Sequence, residues 1–234
     1  MAREERIKPE TIHCKHLILC EGKDDFLFLC YWLNSSALSD KKAFSMDFQV
    51  LMFDGTGNLP AFLDALKVRS GYSTVESILV IRDADNNAEA TQANVISAFA
   101  HAEMPIPTSP HKWQTDGQIM TGFLLFPSCT QDLKSGTLED LCLQILRDEK
   151  SNEIIASTEN YFGSLKKAGL RTFPHERKAK LHTYFSVTDD YISLKVGEAA
   201  RAGAFDWRSQ SLSPLRAFLE ELLERSDKGD KPNA

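Results

Sequence analysis

The sequence predicts an α/β protein built on a mostly parallel, four-stranded sheet flanked by helices, and three observations carry that expectation. Short apolar runs of buried-strand type recur at His16–Cys20 (HLILC), Phe48–Phe53 (FQVLMF) and Ser77–Arg82 (SILVIR). Each run ends in a polar turn and is followed by apolar residues at helical spacing. Past about residue 130 the strand pattern stops and helical periodicity takes over.

Taken in order, HLILC leads through the turn EGKDD into a helix carried by Phe26, Leu29, Cys30 and Leu33. FQVLMF leads through DGTGN, which has turn chemistry, into a helix over Pro60–Lys67. SILVIR leads through Asp83-Ala84-Asp85-Asn86-Asn87 into a helix over Ala88–His101. Strands alternating with helices imply parallel pairing through crossovers. Glu103–Asp116, with Pro105, Pro107 and Pro110, reads as a loop, and Gly117–Pro127 supplies the fourth strand, with Gly122 as a point of interruption. Helices are expected over Thr137–Arg147, Asn152–Ala168, Pro174–Phe185, Leu194–Ala202 and Pro214–Arg225. The division expected is an α/β domain over 14–130, a helical extension packed on it over 131–225, and flexible termini at 1–10 and 226–234. In the last helix Leu215, Phe218, Leu219, Leu222 and Leu223 form one apolar stripe, which fits packing on the core or, as the alternative, a homodimer contact.

Composition limits the function classes. With 42% hydrophobic and 26% charged residues, 12 Gly and 9 Pro, the chain is neither disordered nor collagenous. No apolar run approaches the roughly 20 residues of a spanning helix, and the charged segment Met1–Glu10 does not read as a secretory signal. Five cysteines, an odd count without a CxxC pair, fit a reducing, cytoplasmic setting. A net charge of −6 argues against indiscriminate coating of nucleic acid.

The chemistry gathers at the expected strand ends. In open parallel sheets the ligand crevice lies outside the carboxyl ends of the strands. Glu21 follows the first strand, with Lys23, Asp24 and Asp25 behind it; Asp54 follows the second; Asp83 and Asp85 end the third, two apart and so on one face of an extended chain. So many carboxylates in one crevice need raised pKa values or a cation, and a hard divalent ion takes such oxygen ligands. Local readings compete: Asp24 or Asp25 fits a cap of the first helix, Asp85 or Asn87 a cap of the third, and Asp54-Gly55-Thr56-Gly57 either a structural turn or a loop whose glycines let backbone amides approach a phosphate, as in recognition of a nucleotide or other phosphorylated small molecule. Glu21 has no capping duty of its own. Thr137 and Asp140 resemble a capping box, while Glu139 fits either a further acidic ligand or a solvated first-turn residue.

Leu17-Ile18-Leu19-Cys20-Glu21-Gly22-Lys23-Asp24-Asp25, with Ile78-Leu79-Val80-Ile81-Arg82-Asp83-Ala84-Asp85 some sixty residues later, resembles a TOPRIM domain, the Rossmann-like fold of topoisomerases, primases, OLD-type nucleases and ribosomal-RNA maturases. Gly136-Thr137-Leu138-Glu139-Asp140-Leu141 and the run from Gly197-Glu198-Ala199-Ala200 to Asp206 are similar to a family of standalone bacterial TOPRIM-like proteins. The resemblance implies that Glu21 acts in acid/base chemistry or metal binding and that Asp83 and Asp85 bind Mg²⁺ or Mn²⁺, with Asp25 as a further metal ligand. Lys23 would neutralise phosphate charge, and Asp54 and Glu139 are additional acidic candidates. The sequence departs from the pattern after the DxD, where Asn86, Asn87 and Ala88 stand in place of an early glycine.

The function expected from the resemblance is Mg²⁺-dependent phosphodiester hydrolysis or phosphotransfer on DNA or RNA, and the alternative is a non-catalytic module that binds nucleic acid or an effector protein. No tyrosine has a context that selects it as a strand-passage nucleophile. Lys166, Lys167, Arg171, Arg177, Lys178 and Lys180 form a basic segment with Phe162, Phe173 and Tyr184 nearby, which fits either nucleic-acid contact or a solvated helix face.

Overall fold

The computed structural model describes residues 11–35, 47–149, 153–170 and 172–227. Their order is β1 (His16–Cys20), α1 (Lys23–Asn34), β2 (Phe48–Met52), α2 (Leu59–Lys67), β3 (Ser77–Asp83), α3 (Ala88–His101), β4 (Gln114–Thr115), β5 (Met120–Phe126), α4 (Leu138–Asp148), α5 (Glu153–Lys167), α6 (Glu176–Ser186), α7 (Val196–Ala202) and α8 (Ser213–Asp227). The sheet has five strands in the order β2-β1-β3-β5-β4, not the four expected. The four long strands are parallel, and β4 pairs antiparallel with β5 at the edge. That strand is two residues long and lies in the proline-rich stretch read as a loop, too short to leave a periodicity.

β1 is buried at all five positions and β3 at its first six, which is why their sequences are continuous apolar runs rather than alternating ones. Alternate side chains feed two cores. Ile18, Cys20, Leu79 and Ile81 point into a cluster with α1 and the helices α4 to α8. Leu17, Leu19, Ile78 and Val80 point into the cluster under α2 and α3. The helical part of the chain therefore covers one face of the sheet.

Gly122 does not interrupt β5. A Cβ there would lie 2.9 Å from the Trp113 ring and 3.2 Å from Phe218, so the glycine lets both aromatics lie on the strand. Trp113 and Phe218 stack at 4.4 Å between centroids. The stripe of α8 is thereby used inside the chain: Leu215, Phe218, Leu219 and Leu222 are buried in the first core. α7 closes on α1 through Gly197, where a Cβ would meet Leu27 at 2.7 Å.

Helix ends shift by a few residues. α8 runs through Ser226 and Asp227, which were assigned to the flexible tail; 1–10, 228–234, Asn152 and Arg171 lie outside the described residues. Asn87 is the residue that caps α3, accepting the Ala90 N–H at 2.9 Å. None of the five cysteines is in a disulfide, and Cys20, Cys129 and Cys142 are buried. No described helix is long and apolar enough to cross a membrane.

Candidate functional site: two clefts about the end of β3

Register decides which acidic residues meet. β1 pairs with β3 so that Cys20 faces Ile81, which makes Glu21 and Arg82 neighbours one step further on. Arg82 is only 2% exposed, and its Nη2 lies 3.5 Å from Glu21 Oε2 and 3.7 Å from Asp85 Oδ2. The counter-charge that the crowded carboxylates require is thus partly supplied by a side chain of the strand itself. Its signal in the sequence is the one basic residue of SILVIRD.

Asp83 and Asp85 reach one cleft by a different route from strand alternation. β3 ends at Asp83, and Asp85 sits at φ 56, the left-handed region, so the i, i+2 argument from an extended chain fails there. Reciprocal backbone hydrogen bonds hold the turn: Asp85 N–H donates to Gly136 O at 2.8 Å and Gly136 N–H to Asp85 O at 2.7 Å. Gly136 is at φ 152, and a Cβ would meet Asp140 Oδ2 and Pro127 at 2.7 Å each, so no larger residue fits this crossing. The contact brings the first turn of α4 over β3, where Leu138 N–H donates to Asp83 Oδ1 at 2.7 Å. A carboxylate at that position meets the positive end of the helix.

The resulting cleft, about 320 Å³, is lined by Asp83, Asp85, Asn86, Thr137, Glu139, His175, Arg177 and Lys178, among others. One wall is acidic and the other basic. Arg177 Nε lies 2.9 Å from Asp140 Oδ2, and Lys178 Nζ lies 3.7 Å from Glu139 Oε1. The remainder of the basic segment is placed differently: Lys180, 2.8 Å from Glu176, and Lys166 both pair with that residue, Lys167 is exposed, and Arg171 lies outside the described residues.

Burial shifts the carboxyls strongly. Asp83 is pushed up to about 8, by burial first and then by the charges of Asp25, Glu139 and Asp85 against the favourable Leu138 N–H. Asp25 is pushed up to about 7 by burial, opposed by the Gly22 N–H that its Oδ2 accepts at 2.9 Å. That hydrogen bond is the reciprocal half of a capping box, with Asp25 at the third position of α1. Burial also raises Glu21, against the pull of Arg82, and raises Asp140, which accepts the Thr137 N–H. Asp24 turns away: its Oδ1 accepts the Gly197 N–H at 3.0 Å and so ties α7 to α1.

Two sequence candidates stand outside this cluster. Lys23 is exposed on the first turn of α1, and Asp54 is exposed after β2, its backbone oxygen accepting the Asn58 side-chain amide. Neither lines the cleft.

Among the described residues no three His, Cys, Asp or Glu side chains stand ready as a metal-holding group. The reason is local: Asp83 and Asp25 are engaged by backbone amides, and Glu21 and Asp85 face Arg82. The donors nonetheless suit a hard divalent cation, being carboxylate oxygens throughout. Glu21 Oε2 is buried without a hydrogen-bond partner, and burial, with neighbouring negative charge, raises the carboxyls of Asp25 and Asp83.

No curated protein and no solved structure matches the chain. The family model that does match covers residues 15–224, from β1 to α8, so both walls of the cleft lie within it, and the chain belongs to that family, described as "Protein of unknown function (DUF3226)".

Proposed function

We propose that the chain is a Mg²⁺- or Mn²⁺-dependent phosphotransfer enzyme of TOPRIM-like type, a nuclease acting on DNA or RNA. The observation that carries this reading is a single cleft with Asp83, Asp85 and Glu139 on one wall and Arg177 and Lys178 on the other. A phosphodiester has the same need on both sides: cations for its oxygens and a carboxylate for the proton of the attacking water. The parallel core, which sets Glu21 and Asp83 on adjacent strand ends, supports the TOPRIM-like assignment.

Asp83, Asp85 and Glu139 would hold the ion, with Asp25 behind Asp83; a bound divalent cation supplies charge neutralisation at the phosphate and a more acidic water. Glu21, at the neighbouring strand end and paired with Arg82, would take the proton of the attacking water, its raised pKa bringing it closer to a useful base. Arg177 and Lys178 bind the phosphate oxygens, and Lys23 waits on the exposed approach.

The test joins calorimetry to cleavage. Mg²⁺ and Mn²⁺ are titrated into the native chain and into the Asp83→Ala, Asp85→Ala double variant, and both proteins are assayed on DNA and RNA. Metal binding and metal-dependent cleavage that vanish together in the variant support the reading. Cleavage that survives the double variant sinks it.

A second reading has its own observation. Arg82, already between Glu21 and Asp85, supplies in part the charge that a metal would supply. A chain with no metal affinity and no cleavage, yet with nucleic-acid or effector-protein binding lost on Arg177→Glu, would be a binding module on the same scaffold.

A further inference from the structure

Only one nitrogen of Arg82 is accounted for by the acidic cleft. Along β3, Ile78 and Val80 point toward α2 and α3, and Leu79 and Ile81 toward the opposite core. By that alternation Arg82 leaves the sheet on the α2–α3 side and Asp83 on the other. Arg82 Nε is buried and has no hydrogen-bond partner. A guanidinium N–H without an acceptor in a buried position carries a desolvation cost that a bound acceptor removes.

Arg82 lines a second cleft, about 490 Å³, between α2 and α3. Thr56, Gly57, Asn94, Ser97 and His101 complete its polar wall, and no carboxylate lines it. Asn94, Ser97 and His101 recur at i, i+3 and i+7, one face of α3. Thr56 and Gly57 precede the first turn of α2, a nine-residue helix whose positive end favours an anion. The acids beside its lining residues are already paired: Glu21 and Asp85 with Arg82 Nη2, at 3.5 and 3.7 Å, and Asp64 with His101 at 3.3 Å and Lys67 at 3.7 Å. Leu59, Pro60 and Ala98 add an apolar floor.

We propose that this cleft binds a phosphate monoester of mononucleotide size, with the phosphate on Arg82 Nε–H, the side chains of Thr56 and Ser97, and the start of α2. The volume lies within the range of about 300 to 1,000 Å³ usual for small-ligand sites, more than inorganic phosphate alone fills. The phosphate belongs either to a free mononucleotide or to the end of a nucleic-acid chain. The proposal stands apart from the metal-dependent reading, because the cleft lies on the other flank of β3 and needs no cation.

Calorimetry on the full chain, with a chelator present so that the acidic cleft takes no part, tests it. The probes are adenosine and uridine 5′-monophosphates, adenosine itself, and a dinucleotide with and without a 5′-phosphate. The expected result is saturable binding of a monophosphate, competed by inorganic phosphate, with no binding of adenosine. Ser97→Asp places a carboxylate in the cleft at an exposed helix position that the fold tolerates. It should weaken binding about tenfold or more, while Ser97→Ala, which removes one hydroxyl donor and adds no charge, weakens it less. Equal binding of the 5′-phosphorylated dinucleotide assigns the site to chain ends, and its exclusion assigns it to free nucleotides. Failure of every phosphorylated probe to saturate at millimolar concentration overturns the proposal. So does binding that Ser97→Asp leaves intact and Lys178→Glu abolishes, since the ligand would then occupy the acidic cleft.

Discussion

Arg82 and Asp83 are adjacent on one strand, yet they serve opposite flanks of the sheet. On the α4–α6 flank, carboxyls crowd under the first turn of a helix and burial raises Asp83; on the α2–α3 flank, a buried guanidinium faces hydroxyls and amides. The contrast shows how a strand end divides charge: alternation sends neighbouring side chains to different faces, and the register with β1 decides which of them Glu21 meets. Each flank lacks what the other has. The acidic one has more negative charge than Arg82 neutralises, and the basic one has a donor without an acceptor.

The largest expected effect comes from removing the acidic flank. Asp83→Ala should lower metal-dependent cleavage by about 10³-fold or more while the helix signal in circular dichroism is retained. Full activity in that variant would assign the chemistry elsewhere. Arg82→Gln acts on both flanks at once, leaving Glu21 and Asp85 without their cation. Loss of a buried partner of this kind costs about 2 to 3 kcal/mol, read as a lower urea midpoint. If instead the variant is as stable as the native chain, Arg82 is not the internal counter-charge.

Gly136→Ala addresses the crossing that brings the two walls of the acidic cleft together. The added Cβ meets Asp140 and Pro127 at 2.7 Å, on a backbone at φ 152, and about 2 kcal/mol of stability should be lost. Metal affinity should fall with it, since Asp85 and α4 are held by the same pair of backbone hydrogen bonds. Unchanged stability would mean that the loop relaxes and that the crossing does not shape the cleft.

Much of the scaffold was legible beforehand, and the reason is the continuous burial of β1 and β3. HLILC and SILVIR keep their polar residues, His16, Ser77 and Arg82, at the ends of an otherwise apolar run, so those ends, and with them Glu21 and Asp83, could be placed. What could not be read depends on contacts far apart in sequence. β4 is two residues long and owes its existence to pairing with β5. The positive φ of Asp85 follows from its bond to Gly136, fifty-one positions away, which no local pattern announces. The basic segment was visible as composition, but only the packing of α6 against α4 separates Arg177 and Lys178, at the cleft, from Lys166 and Lys180, paired with Glu176. Arg82 was legible and overlooked, because a charge at the end of a strand was read as part of the strand.

The smallest effect is the most specific to the contrast between flanks. Asp83 and Asp25 have folded-state pKa values of about 8 and about 7, above those of an unfolded chain. Between the unfolded and folded values the native state holds protons that the unfolded state has released. The stability these groups contribute is therefore complete below about pH 4 and is lost as pH rises through 7 and 8. Each carboxyl adds a downward slope of about 1.4 kcal/mol per pH unit inside its window, other groups apart. Asp83→Asn keeps an acceptor for the Leu138 N–H and removes the titration, so denaturation midpoints measured from pH 5 to pH 8 should fall less steeply than in the native chain. A saturating divalent cation should flatten the same slope by replacing the protons, with proton release on binding that grows as pH falls toward 6. Parallel slopes in the native chain and the variant would show that Asp83 is ionised in the fold, and the acidic flank would then lack the charge deficit that sets it apart from the Arg82 flank.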